Sequence, residues 1–473
     1  MRKQLFFDDN GLFGKENVTR RYGKPKLVSN FNDGVSSNDY CSGSIFRLDD
    51  GRYRLIYFAH GKDFEGKKLF SAISDDGITF APEDVSARVN MQGREYSNEI
   101  MQLEKGVEIA SIYEDKYTEN ANERYKMLSA QLIFDELRVY NKLYTSSDLL
   151  NWQLKDGIYW ADGAEPLASV FYNKHKNVHT IVERPFWGIR SAGYKETADW
   201  QTFTDFRHCV NVDSLDGNLD EIYGMNAFEY DGMYIGFVQM YRGHKTEYNA
   251  KYSSGIIDAQ LAYSQDGEYW RRSIREPFIT GLGMTPEYKL MWVPSVMRMD
   301  DGSINIYASA SQLEHGPAFR EAGHGEILVF NLREDGFICF ETEDNSKPST
   351  VVTREKVWHG GELHVNISSK GATLGVYVSA ESEIVGDSNA LGHSKAVEGY
   401  GHEDCIPFCG DSTDWVPVFK NGKTLNELKN KTLVFEIKFS DGCIYSISGD
   451  YTDVFNTQAA RYRKFGLLPG EYK

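Results

Sequence analysis

Apolar and polar positions alternate along most of this chain, in runs of four to eight residues. The stretch "GSIFRLDDGRYRLIYFAHG" reads as strand, tight turn at "DDG", strand. "YGMNAFEYDGMYIGFVQMY" and "VPSVMRMDDGSINIYASAS" repeat that layout. The β-branched and aromatic residues in these runs suit pleated, half-buried surfaces. Segments with a 3.6-residue period and helix capping boxes are nearly absent, so the pattern predicts an all-β chain.

A short phrase punctuates the strands. It occurs as "SDDGITF", "SSDLLNW", "TADWQTF" and "SQDGEYW", placing Asp76, Asp148, Asp199 and Asp266 four positions before an aromatic. A looser fifth copy, "REDGFICF", contains Asp335. The copies lie roughly 50 to 70 residues apart, a period that fits one four-stranded propeller blade with its loops. Three short strands precede each phrase, and the aromatic opens a fourth. This predicts a five-bladed β-propeller within residues 1–345. The aspartate is expected to bond backbone N–H groups in the turn, and the aromatic to pack between blades. After a linker, "EDNSKPSTVVTREK" (Glu343–Lys356), the phrase stops. Strands such as "GELHVNISS" and "TLVFEIKF" then predict a C-terminal β-sandwich over residues 355–473.

Composition narrows the partners. The 473 residues carry a formal charge of −17, which argues against nucleic acid and anionic membranes, since both need a basic footprint. Aromatics make up 14% of the chain, which suits both β-structure and sugar-stacking clefts. The stretch "MRKQLFFDDNGLFG" has no signal-peptide core, and no run approaches a membrane span. Six scattered cysteines without a CxxC pair read as free thiols, so a cytoplasmic location is expected.

In a propeller the first strands of the blades line the axis, so acids at their entries converge on one pocket. Blade one offers Asp39, blade two Glu99, blade three Asp162 and Glu165, blade four Glu221 and blade five Glu287. Like charges gathered there push pKa values apart and create the acid/base pair that glycoside cleavage uses. Tyr223 and Trp292 lie beside these acids and are candidates to stack on sugar faces, while Glu183 and Arg184 in "VERPFWGIR" are candidates to bind substrate.

The stretches "QLFFDDNGL", "GSIFRLDDGRYRLIY", "SDLLNWQ", "DEIYGMNAFEYDGMYIGFVQMYR" and "DAQLAYSQDGEYWRR" resemble bacterial proteins related to the N-terminal domain of glycoside hydrolase family 32. That domain belongs to the broader five-bladed set that includes families 43 and 68. The resemblance implies a furanosidase-type pocket. By blade position, Asp39 would serve as nucleophile or base, Asp162 or Glu165 as stabiliser and Glu221 as general acid, with an oligosaccharide or glycoside as substrate and no cofactor or metal.

Two other functions fit the same acids. A glycoside phosphorylase would need a cationic cluster, for which Arg94, Arg124, Arg184 and Arg190 are candidates. A non-catalytic carbohydrate-binding propeller would hold its carboxylates too far apart for a pair. Three motifs are set aside. "GKDFEGKK" carries acids in a would-be phosphate loop between two strands. His175 and His179 of "HKNVH" lie in a hairpin, where spacing of four does not converge on zinc. "DSLDGNLDE" is acidic but lacks EF-hand spacing.

Overall fold

The computed structural model describes all residues except 35–41, 61–66, 105–106, 134–137, 156–163, 186, 245–253, 316–324, 379–395 and 455–473. The described chain is all-β; its only helical elements are two short 3-10 turns. It divides into two compact units, one of residues 24–333 and one that joins residues 1–23 to 334–473.

The unit 24–333 is built from antiparallel meanders. The first sheet runs Ser42–Arg47, Tyr53–His60, Lys67–Ser74 and Ala81–Pro82, with Glu99–Gln102 added against its third strand. The second begins at Val107–Glu114 and the third at Ala164–Asn173, each with four strands. The fourth, Asp220–Tyr230, Met233–His244 and Ser254–Ser264, meets the fifth through one parallel pairing, Ile257 with Leu290. The fifth, Leu290–Arg298, Ile304–Ser311 and Gly325–Leu332, is completed by Lys26–Phe31 from the start of the unit.

The five first strands are neighbours in cyclic order. Short polar side chains stitch them together. Ser169 of the third sheet donates to the Met225 carbonyl and accepts from the Ala227 N–H of the fourth at 2.8 Å. Asn226 donates to the Val293 carbonyl of the fifth sheet at 3.0 Å, and Ser295 accepts from Ile45 N–H of the first at 3.2 Å. Packed on both faces, the middle strands lose their alternation: Ile304–Ser311 is buried at every position.

The recurring aspartate does what its spacing predicts. Asp76 accepts from the N–H groups of Ile78 and Thr79 at 2.8 and 2.7 Å. Asp148, Asp199 and Asp266 repeat this two and three residues on, at 2.8–2.9 Å. A Ser or Thr two residues earlier accepts from the next turn N–H groups, as Ser264 does from Gly267 at 2.9 Å. The residue after each aspartate has a left-handed backbone: Gly77 and Gly267 adopt it freely, whereas Leu149 and Trp200 also hold it. The aromatics pack on neighbouring sheets, with Phe80 against Tyr307 and Trp270 against Phe171.

Asp335 does not share this role. It belongs to the other unit and binds Lys3 at 2.8 Å and the Ser446 hydroxyl. Residues 1–23, placed above within the bounds of the propeller domain, pair with the C-terminal half: Arg2 opposes Gly449, Glu16 opposes Thr350 and Val18 opposes Thr342. The segment read as a linker supplies a strand there, Ser349–Thr353. These pairings link residues more than 300 positions apart, and nothing in local periodicity encodes them. Among the described residues, nine strands form this unit's sheet around Phe6, Phe340, Trp358, Leu374 and Phe435.

Two buried ion clusters fasten sheets of the unit 24–333. Asp115 and Lys126 of the second sheet face His179 and Trp200 of the third, with Trp200 Nε1 2.9 Å from Asp115 and Lys126 3.4 Å from it. Glu83 takes Arg54 at 2.8 and 2.9 Å and Arg88 at 2.6 Å, while Arg54 also reaches the Asp148 carbonyl. Burial pushes the Glu83 carboxyl up, but hydrogen bonds from Arg54, Ser71 and Arg88 outweigh it and bring its pKa from 4.5 down to about 2. A depressed pKa contributes stability above the unfolded value that is lost as pH falls through the folded one. The urea midpoint is therefore expected to drop between pH 4.5 and about 2. Glu83→Gln should flatten that limb and cost about 3–5 kcal/mol at pH 7, because Arg54 loses its buried counter-charge. An unchanged midpoint in that variant would remove Glu83 from the account.

Candidate active site

The first strands of the second to fifth sheets each carry an irregularity. Register shifts fall between Ile109 and Ser111, Glu165 and Ser169, Ile222 and Gly224, and Trp292 and Ser295. Bulges re-aim side chains and are frequent beside active sites. In the fourth sheet the extra residue is Tyr223, and the groups around it form the densest array of chemistry in this unit's described residues.

Arg184 ends the second strand of the third sheet. It is 3% exposed, its guanidinium lies 4.3 Å from the centre of the Tyr223 ring, and it donates to the Tyr223 carbonyl at 3.2 Å. Burial presses its pKa below the usual arginine value. Arg190 comes from the loop before Ala192–Thr197. Its guanidinium sits 5.8 Å from the Tyr223 ring and 5.2 Å from that of Tyr241. It forms a close ion pair with Glu221, and its backbone N–H donates to the other Glu221 oxygen at 3.3 Å. The Arg190 carbonyl in turn accepts from Ile222 N–H at 3.2 Å, which docks the loop onto the strand.

His315 follows the strand Ile304–Ser311 and exchanges backbone hydrogen bonds with Gly255 of the fourth sheet. That approach requires glycine, because a Cβ at 255 would stand 2.8 Å from Tyr241 Cζ. The His315 Nε2 is 2.7 Å from the Tyr223 hydroxyl, and Trp292 meets the Tyr223 ring edge-on at 5.8 Å. Tyr223 thus has Arg184 against its ring and a histidine on its hydroxyl.

Beside this array, Arg242 bridges two acids. It lies 2.6 Å from Asp220 and makes a two-pronged pair with Asp258 at 3.1 Å each. Burial pushes the Asp258 carboxyl up, against the pull of Arg242. Because Asp220 opposes Arg242 and Glu221 opposes Tyr241, this clamp fixes the strand end that presents Glu221.

The other candidates divide. Trp292 and Glu221 join the array. Asp39 and Asp162 lie outside the described residues, as does most of "GKDFEGKK". Glu165 is placed by its backbone alone, opposite Arg184. Glu99, expected at the entry of the second sheet, pairs with Phe70 on the edge of the first, and its buried carboxylate takes Lys68 at 3.2 Å. Glu183 projects from the opposite face to Arg184, as adjacent strand residues must. It forms a buried pair with Lys195 at 2.9 Å, with Asn141 at 3.3 Å. Glu287 is exposed and paired with Lys289. Arg94 bonds backbone carbonyls near Val89, and Arg124 binds Glu114 and Asp49, so neither joins Arg184 and Arg190. In the acidic stretch, Asp213 and Asp216 are taken by Arg275 and Arg272 at 2.7 and 2.6 Å.

His315, Tyr241, Arg242 and Asp258 were not expected from the sequence. Asp258 did leave a trace, as a lone charge inside the apolar run "SGIIDAQLAYS". His315 left none, because its loop reaches the site only through the bridge to Gly255.

No protein-family model and no curated protein matches the sequence. Among solved structures, the chain is similar to an N-acetylgalactosamine deacetylase from F. plautii in complex with blood group B trisaccharide, at 12% identity and a TM-score of 0.44, covering 68% of this chain and 97% of that one. It is also similar to a GH130 structure, from a family of mannoside phosphorylases containing glycoside hydrolases that target β-1,2 mannosidic linkages in Candida mannan. There the identity is 15% and the TM-score 0.40, over 65% and 94% of the chains. An α-L-arabinofuranosidase from Fusarium graminearum matches at 10% identity and a TM-score of 0.40, over 66% and 98%. Likenesses this distant carry no argument, and the functional reading rests on the site.

Arg242→Met should leave Asp258 buried without its cation and lower stability by about 3–5 kcal/mol, read by urea denaturation. The double variant Arg242→Met with Asp258→Leu should recover most of the loss. A single variant as stable as the wild type would show that the clamp carries no load.

Proposed function

We propose that the unit 24–333 is a five-bladed β-propeller that cleaves a terminal, furanosidic sugar from an oligosaccharide or glycoside, and that the other unit is a β-sandwich. The cyclic order of the five first strands supports the propeller. The observation that carries the function is the carboxylate of Glu221 held at a strand entry among Arg184, Arg190, Tyr223 and Trp292. A buried and a half-buried cation with aromatic groups around a fixed carboxylate suit the charge that develops at an anomeric carbon. Asp39, Asp162 and Glu165 are the proposed further acids, with the stabiliser among them.

Glu221 is the essential carboxylate in this reading. Both of its oxygens accept hydrogen bonds from Arg190, and each carboxylate oxygen has a second lone pair that can still take a proton. This suits an acceptor of protons better than the general-acid role that blade position implies. Glu221→Gln should lower turnover by about 10²–10⁴-fold with an unchanged melting temperature, read by chromatography of released sugar from a panel of aryl glycosides and plant or bacterial oligosaccharides. Full activity in that variant would sink the assignment.

A phosphorylase is the second reading, favoured by the convergence of Arg184 and Arg190 on Tyr223. Turnover that requires added inorganic phosphate selects it.

A further inference from the structure

The hydrogen bond between Tyr223 and His315 lies outside the carboxylate chemistry discussed so far. Tyr223 stands two positions after Glu221 on the bulged strand, and His315 arrives from a different sheet to meet its hydroxyl at 2.7 Å. The contact is reinforced on all sides. His315 packs edge-on against the rings of Tyr223 and Tyr241, at 4.9 and 5.4 Å, and is anchored by two backbone bonds to Gly255. Arg184 is buried against the Tyr223 ring, with Arg190 close by. Cations over an aromatic ring stabilise negative charge that develops on its oxygen. A phenol whose hydroxyl meets an imidazole, beside two guanidiniums, can give up a proton and have the charge left behind steadied. Glu221 is instead committed to the Arg190 guanidinium through an ion pair.

We propose that Tyr223, backed by His315, is the proton donor to the leaving oxygen in the glycosidic reaction assigned above, on which this inference rests. The bond between the anomeric carbon and the leaving oxygen breaks, and its electron pair stays on that oxygen, which takes the Tyr223 phenol proton. The Nε2–H of the His315 imidazole donates to the Tyr223 oxygen and steadies the charge left on it. Water adds to the anomeric carbon and gives its proton to the Glu221 carboxylate. Transfer of that proton to the Tyr223 oxygen through solvent restores the site. Tyr223 touches the reacting atom and is catalytic in this scheme, while His315 acts through it.

The test compares leaving groups. Full-length wild type, Tyr223→Phe and His315→Gln are assayed on 2,4-dinitrophenyl and alkyl glycosides of the sugar that the wild type releases fastest. A dinitrophenolate departs without a proton, whereas an alkoxide does not. Tyr223→Phe keeps the ring beside Arg184, and circular dichroism and melting temperature verify its fold. The expected result is a loss of about 10²-fold or more on the alkyl glycoside and under about tenfold on the dinitrophenyl glycoside, with His315→Gln following the same pattern more weakly. Equal losses on both substrates, or full activity of Tyr223→Phe on the alkyl glycoside while Glu221→Gln is inactive, would overturn the proton-donor role alone. A wild type inactive on every glycoside overturns both this role and the glycosidase reading.

Discussion

The pairing of Gly325–Leu332 with Lys26–Phe31 is the contact on which the unit 24–333 depends. It joins the last sheet to the start of the unit, and it gives the five first strands a cyclic order instead of an open row. The site lies on three consecutive sheets of that order. Arg184 and Arg190 come from the third sheet, Glu221, Tyr223 and Tyr241 from the fourth, and Trp292 and His315 from the fifth. Loop closure over so long a stretch is entropically costly, and it is offset by a full strand ladder and by polar stitches such as Ser295 to Ile45.

Within that ring the two kinds of aspartate behave in opposite ways. Those of the turn phrase sit near the surface, bond their own backbone and hold pKa values below the ordinary range; for Asp266, partial burial works against its backbone donors and the donors win. Asp258 is deeply buried, has Arg242 as its partner and is pushed up by desolvation. The difference is solvation and donor supply, and it separates an architectural repeat from the Arg242 clamp at a strand end.

Much of this was legible in the chain. Alternation predicts strands throughout, and the phrase around Asp76, Asp148, Asp199 and Asp266 marks sheet ends because turn chemistry is local. Long-range register is not local, which is why residues 1–23 and Asp335 were read into the wrong unit. The same limit governs the site. Glu221, Tyr223 and Trp292 could be named because they lie at strand entries, and Arg184 from the stretch "VERPFWGIR", but their mutual contacts could not. Glu183 and Glu99 look equivalent to Glu221 in sequence, yet one turns to the opposite face and takes Lys195, and the other belongs to a sheet edge and takes Lys68. His315 was invisible, since a loop histidine acquires meaning only when the fold brings it to a tyrosine.

In the proposed function a sugar is bound and cleaved at the Glu221–Tyr223 strand entry. A crystal structure of Glu221→Gln soaked with the glycoside that the wild type turns over is the decisive experiment. The glycosidic oxygen is expected within about 2.6–3.2 Å of the Tyr223 hydroxyl, with the sugar ring beside Trp292. A sugar bound at another face of the molecule, with the Tyr223–His315 bond untouched, would contradict it.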